Sequence, residues 1–109
     1  MKISETMSDK SYFFDSYALL EIIKGNEAYR FIEASTITTS VMNFSEVYYA
    51  LLLVYDKETV ENILKKFNFE FVNITPKIAK DAALFRHIHK KSKLSYIDCV
   101  GYCLSLENN

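Results

Sequence analysis

Three short runs of strand-forming residues recur along this chain, each followed by a stretch with helical spacing. That order leaves few folds open. Ser11-Tyr12-Phe13-Phe14-Asp15 is apolar until it ends in an acid, the pattern of a buried parallel strand. Ser35 to Ser40 (Ser-Thr-Ile-Thr-Thr-Ser) is β-branched, and Glu70-Phe71-Val72-Asn73-Ile74 forms a third run. Strands alternating with helices predict a parallel sheet covered by helices on both faces, a three-layer α/β/α architecture. In such sheets ligands bind beyond the carboxyl ends of the strands.

The helices announce themselves by their ends. Ser16 can cap a helix over Tyr17 to Lys24 that carries Ala18, Leu19, Ile22 and Ile23 on one side, with Gly25 closing it. Asn26 opens a second helix, Glu27 to Ala34. Ser40 or Asn43 caps a longer one reaching about Leu53, and Asp56 or Lys57 starts the next, to about Lys66. Thr75-Pro76 places proline at the first helical position of a segment running to about Lys91 and burying Ile78, Ala82, Phe85 and Ile88. Ser95 to Asp98 fits a capping box for a last helix to about Glu107. Only 2 Gly and 1 Pro in 109 residues agree with helices on short connections. The length allows a single domain over residues 1–109, with 1–10 reading as a flexible start. No run approaches a membrane span and Met1 to Lys10 is too polar for a signal peptide. With two cysteines, Cys99 and Cys103, read as reduced core thiols, this predicts a cytoplasmic protein.

Asp15, Glu46 and Asp98 are the residues that point to chemistry. Each stands among apolar neighbours, where burying a carboxylate is costly without a partner. Asp15 falls at the end of the first strand, Glu46 in the first turns after the second, and Asp98 at the start of the last helix. Each has an ordinary explanation: a helix cap, a lysine partner, a favourable charge at a helix N-terminus. Together they predict a shared divalent cation, for which hard carboxylate oxygens suit Mg²⁺ or Mn²⁺. Such ions activate water and stabilise charge on a phosphodiester.

The chain resembles the PIN-domain ribonucleases, in particular toxins of VapBC type. The likeness is carried by Tyr12 to Ile22 (YFFDSYALLEI), Thr38 to Leu52 (TTSVMNFSEVYYALL) and Leu94 to Tyr102 (LSYIDCVGY). It implies a metal-dependent endoribonuclease with Asp15, Glu46 and Asp98 as three members of an acidic metal cluster. A fourth acid and further strands are expected after the last helix. The sequence ends before them, so the chain reads as a C-terminally truncated PIN-like domain with about three strands, leaving an open edge on the first strand unless self-association covers it. Ser16 matches a position that is commonly Ser or Thr, and Asn43 one that is frequently polar. With Glu21, on the same helix as Ser16, they are candidates for the outer shell of the site. The resemblance also implies a homodimer and an antitoxin partner. Tyr17, Ile22, Ile23, Tyr48, Leu51 and Leu52 are the candidate contacts.

Net charge is −1, so no global field draws the chain onto nucleic acid. The exception is Arg86-His87-Ile88-His89-Lys90-Lys91-Ser92-Lys93, which directly precedes the helix of Asp98. Arg86, Lys90, Lys91 and Lys93 are candidates to guide a single-stranded RNA backbone toward the acids. A solvated helix end, favoured by the dipole, explains the same residues. The competing reading of the whole chain is a non-catalytic PIN-like interaction module.

Overall fold

The computed structural model describes residues 12–25 and 36–108. The expected helix Glu27 to Ala34 and the start Met1 to Lys10 lie outside them. Two strands, β1 (Thr36–Thr39) and β2 (Asn68–Phe71), pair in parallel with Thr36 opposite Asn68 and Thr39 opposite Phe71. Among its described residues the first expected strand is reduced to one parallel bridge, Phe13 with Thr38. It is secured where the Phe14 amide donates to the Thr38 carbonyl at 2.8 Å and the Thr39 hydroxyl donates to the Phe14 carbonyl at 2.7 Å. β1 is therefore the middle of the sheet among the described residues.

β2 starts and ends earlier than expected. Asn68 is captured by Thr36 (Nδ2 to Oγ1, 3.1 Å), and the ladder finishes when the Val72 amide donates to Thr39. The chain then turns, because Thr75 must cap the next helix.

Five α-helices flank this sheet among the described residues. They are α1 (Ser16–Ile23), α2 (Val41–Leu52), α3 (Lys57–Leu64), α4 (Pro76–Ile88) and α5 (Tyr96–Asn108). A 3₁₀ turn, Lys90–Ser92, links the last two. The caps of α2 to α5 follow the expected chemistry: Ser40, Asp56, Thr75 and the Ser95–Asp98 box. α1 differs by one residue. Asp15, not Ser16, is its cap, accepting from the Ala18 amide at 2.9 Å, which releases the Ser16 hydroxyl for other work.

Phe13 and Phe14 point to opposite sides, as neighbours in extended chain must. Phe14 joins Leu19, Ile22, Ile37, Val47, Leu51, Val60 and Leu64 in a core beneath α1, α2 and α3. Phe13 joins Ile78, Ala82, Cys99, Val100, Cys103 and Leu104 beneath α4 and α5. The architecture is the layered α/β/α arrangement with a parallel sheet.

Three expectations about surfaces change. Ile22 and Leu51, proposed as partner contacts, are buried in the first core, whereas Tyr17 and Leu52 are exposed. Tyr48 packs against that core and its hydroxyl donates to Glu61 at 2.5 Å, tying α2 to α3. Ile88 is exposed (64%), at the last residue of α4.

Candidate active site

The Phe13 rung carries Asp15 past the end of the sheet, and the β1–α2 turn places Ser40 and Asn43 beside it. From the opposite core, α5 brings Asp98, Gly101, Tyr102 and Ser105 along one face at helical spacing. Together with Phe13, Ser16 and Tyr17 these residues line one cleft of about 440 Å³. Asp15 and Asp98, from the two ends of the chain, thus share a cleft. A Cβ on Gly101 would stand 3.6 Å from Asn43 Nδ2 and 3.7 Å from Phe13, ordinary contact distances that place this face of α5 against both.

Both carboxylates are exposed, as is Glu46, so their apolar neighbours in sequence do not bury them. On a helix the flanking residues point elsewhere, and the core takes Val47, Cys99 and Val100 while the acids face water. Each aspartate spends one oxygen on backbone: Asp15 Oδ1 on Ala18, and Asp98 Oδ2 on the Ser95 amide at 3.1 Å. Their other oxygens are available to a ligand, and no lysine or arginine pairs with either among the described residues.

Glu46 stands one hydroxyl away. Ser16 Oγ donates to its Oε1 and accepts from Asn43 Nδ2 at 3.0 Å. Asn43 Oδ1 in turn accepts from Ser40 Oγ at 2.6 Å, while the Asn43 amide caps back onto Ser40 at 3.1 Å. Asn43 is 2% exposed and Ser40 fully buried. With Ser40 donating to its oxygen, the Asn43 side chain can offer only its NH₂ to Ser16. The Ser16 proton is left for Glu46. Glu46 also borders a shallower depression with Val41, Met42 and Ile97, the residue before Asp98. Glu21 is further out, on α1, where the Tyr17 hydroxyl donates to it at 3.1 Å.

Among the described residues no three of His, Cys, Asp and Glu come close enough to form a metal-binding group. Of the three acids expected to converge, Asp15 and Asp98 line one cleft and Glu46 is joined to its wall through the Ser16 hydroxyl. The oxygen donors around that pair are carboxylate and hydroxyl, which fits a hard cation; the Asn43 oxygen is taken by Ser40. Mg²⁺ typically takes one or two protein carboxylates and completes its shell with water and substrate phosphate. Cys99 and Cys103 are buried free thiols beneath α5 and take no part in the cleft.

A model of the PIN domain family matches residues 12–109. This chain belongs to the PIN domain family. Comparisons with curated proteins and with solved structures give no match. PIN domains are generally nucleases and typically use divalent metal ions, so the fold is that of a nuclease family. Sequence reasoning named Asp15, Ser16, Asn43 and Asp98 for the cleft. It missed Gly101, Tyr102 and Ser105, which the i+3, i+4, i+7 spacing from Asp98 could have found. It weighed Ser40 only as a helix cap.

Proposed function

We propose that this PIN-family chain is a metal-dependent endoribonuclease that hydrolyses RNA phosphodiester bonds, and the toxin of a toxin–antitoxin pair. The observation that carries the reading is the meeting of Asp15 and Asp98 in one cleft beyond the sheet, each with a carboxylate oxygen to spare. A divalent Mg²⁺ or Mn²⁺ ion bound between them supplies positive charge and Lewis acidity toward a phosphodiester. Asp15 and Asp98 would hold the ion, each through the carboxylate oxygen not spent on backbone. Glu46, which accepts from the Ser16 hydroxyl that Asn43 positions, would add negative charge beside the cleft. Tyr102 and Ser105 bound the space where a nucleotide sits.

The test is Mn²⁺-dependent cleavage of single-stranded RNA, with Asp15→Asn and Asp98→Asn. Asparagine retains an oxygen for each backbone bond, so both variants fold while the charge is lost. Cleavage falls by at least about 10²-fold in each, in line with losing a charge-stabilising group. Cleavage at the wild-type rate in both removes the metal assignment.

A second reading rests on a surface. Leu52, Leu53, Val54 and Tyr55 are consecutive and all exposed at the end of α2. An apolar run of this kind suits a homodimer or antitoxin contact, the interaction-module role. Sedimentation of wild type against Leu53→Glu separates the two. A catalytic chain that is monomeric in both forms leaves the nuclease reading standing alone. A cytoplasmic location is part of the same reading; no described helix is long and apolar enough to cross a membrane.

A further inference from the structure

Resting on the reading that RNA is the substrate, we propose a second subsite for single-stranded RNA in the cleft between the end of α4 and the first turn of α5. Lys90 and Lys93 take a phosphate there, and the Arg86–Tyr96 pair takes a base. The cleft measures about 290 Å³ and is lined by Arg86, His87, Lys90, Lys93, Leu94 and Tyr96. No Asp or Glu occurs from Ala82 to Ile97. Among the described residues Arg86, Lys90, Lys91 and Lys93 have no carboxylate partner, while Lys77 at the far end of α4 is paired with Asp81 at 2.9 Å. Four uncompensated cations within eight residues are a local positive field on a chain of net charge −1.

The side chains are organised beyond mere accumulation of charge. Arg86 Nε donates to the Leu94 carbonyl at 3.1 Å, and its guanidinium carbon lies 4.4 Å from the centre of the Tyr96 ring. The guanidinium is thereby held as a flat plate with its terminal N–H groups uncommitted. Tyr96 remains 52% exposed, a large aromatic surface kept open at the cleft. Lys93 adopts φ 56°, a left-handed conformation that disfavours a Cβ. That turn folds the chain so that Lys90 and Lys93 border the same space. Cations beside a stacked aromatic platform are how proteins bind single strands with little sequence preference.

Tyr96 and Asp98 are two positions apart on α5, about 200° around the helix. The basic cleft and the acidic cleft lie on opposite sides of its first turn, separated by about one helix width of 10–12 Å. A strand crossing the positive N-terminal end of α5 reaches both, so the subsite binds nucleotides a short way from the cut.

The experiment measures binding of a fluorescein-labelled oligouridylate to the full chain in EDTA, by anisotropy across a NaCl series. Wild type, Lys90→Gln/Lys93→Gln, Tyr96→Leu and Asp15→Asn are compared. The lysine double variant binds more weakly and its log K against log[NaCl] slope falls by about 0.7 to 1.4, one to two phosphates. Tyr96→Leu loses about tenfold in affinity with an unchanged slope, the loss of one stacked base. Both keep the Mn²⁺ binding heat of wild type, whereas Asp15→Asn keeps RNA affinity and loses that heat. Wild-type affinity and slope in both cleft variants overturn the subsite. If RNA binds with these variant effects but is never cut with Mn²⁺ present, the subsite stands and the nuclease reading falls.

Discussion

Replacing Ser40 by alanine removes two things at once, and their sizes distinguish a relay from a plain helix cap. The hydroxyl caps α2 by accepting from the Asn43 amide, and it donates to Asn43 Oδ1 at 2.6 Å. Loss of a serine cap costs about 1 kcal/mol. Leaving a buried acceptor without a donor costs about 1–3 kcal/mol more. Asn43 is 2% exposed, so water does not readily replace the missing donor. Ser40→Ala is therefore destabilising by about 2–4 kcal/mol. Thr75→Ala is the internal control. Thr75 caps α4 through Ile78 at 3.2 Å from an exposed position, and its loss costs about 1 kcal/mol, the cap alone. Urea unfolding, read at constant slope, gives both values. In a double-mutant cycle, Ser40→Ala with Asn43→Ala costs less than the sum of the singles by at least about 0.5 kcal/mol. A Ser40→Ala loss equal to that of Thr75→Ala, with additive singles, refutes the relay.

Other outcomes follow from single contacts. The Asp56 carboxyl is held below its ordinary value by its hydrogen bonds with Thr59. Its contribution is therefore full above the unfolded carboxylate range and lost as pH falls through the lowered folded value. Asp56→Asn flattens that acid limb of the stability–pH curve, and an unaltered limb disproves the assignment. Burial raises the Cys103 thiol, and Cys99 is fully buried, so a thiol reagent at neutral pH reacts rapidly with neither until urea is added. Fast reaction in the native protein contradicts the packing beneath α5. Gly101→Ala meets only ordinary contacts and removes a mid-helix glycine, so stability rises by up to about 1 kcal/mol in a thermal melt. A drop shows that α5 and Asn43 cannot yield the space.

The helix ends were the most legible part of the chain, because capping is local chemistry. Thr75-Pro76 and the Ser95–Asp98 box needed nothing from the rest of the fold. The strands were legible as strands but not in extent, since a ladder stops where its partner stops. The described part of the first run, Tyr12 to Asp15, gives one rung, and the third strand moved toward Asn68 to meet Thr36. The acids were recognisable, yet the reason first offered for them, burial, does not hold. An apolar neighbour on a helix faces another direction and says little about the acid's own exposure. The direction of the Ser40–Asn43–Ser16–Glu46 chain was not readable at all, because it depends on which way one amide is turned.

The two adjacent phenylalanines have a mechanical consequence. Phe13 belongs to one core and Phe14 to the other, so this peptide is the seam where two separately packed halves of the molecule are stitched. Asp15 follows directly after the seam, with Ser16 and Glu46 on the α1–α2 half, while Asp98 rides on the α4–α5 half. The cleft is then the outer lip of a joint, and its width is a reading of how tightly the halves are closed. Anything that bridges Asp15 and Asp98 acts as a clasp across that joint, coupling the two packing units at its outer lip.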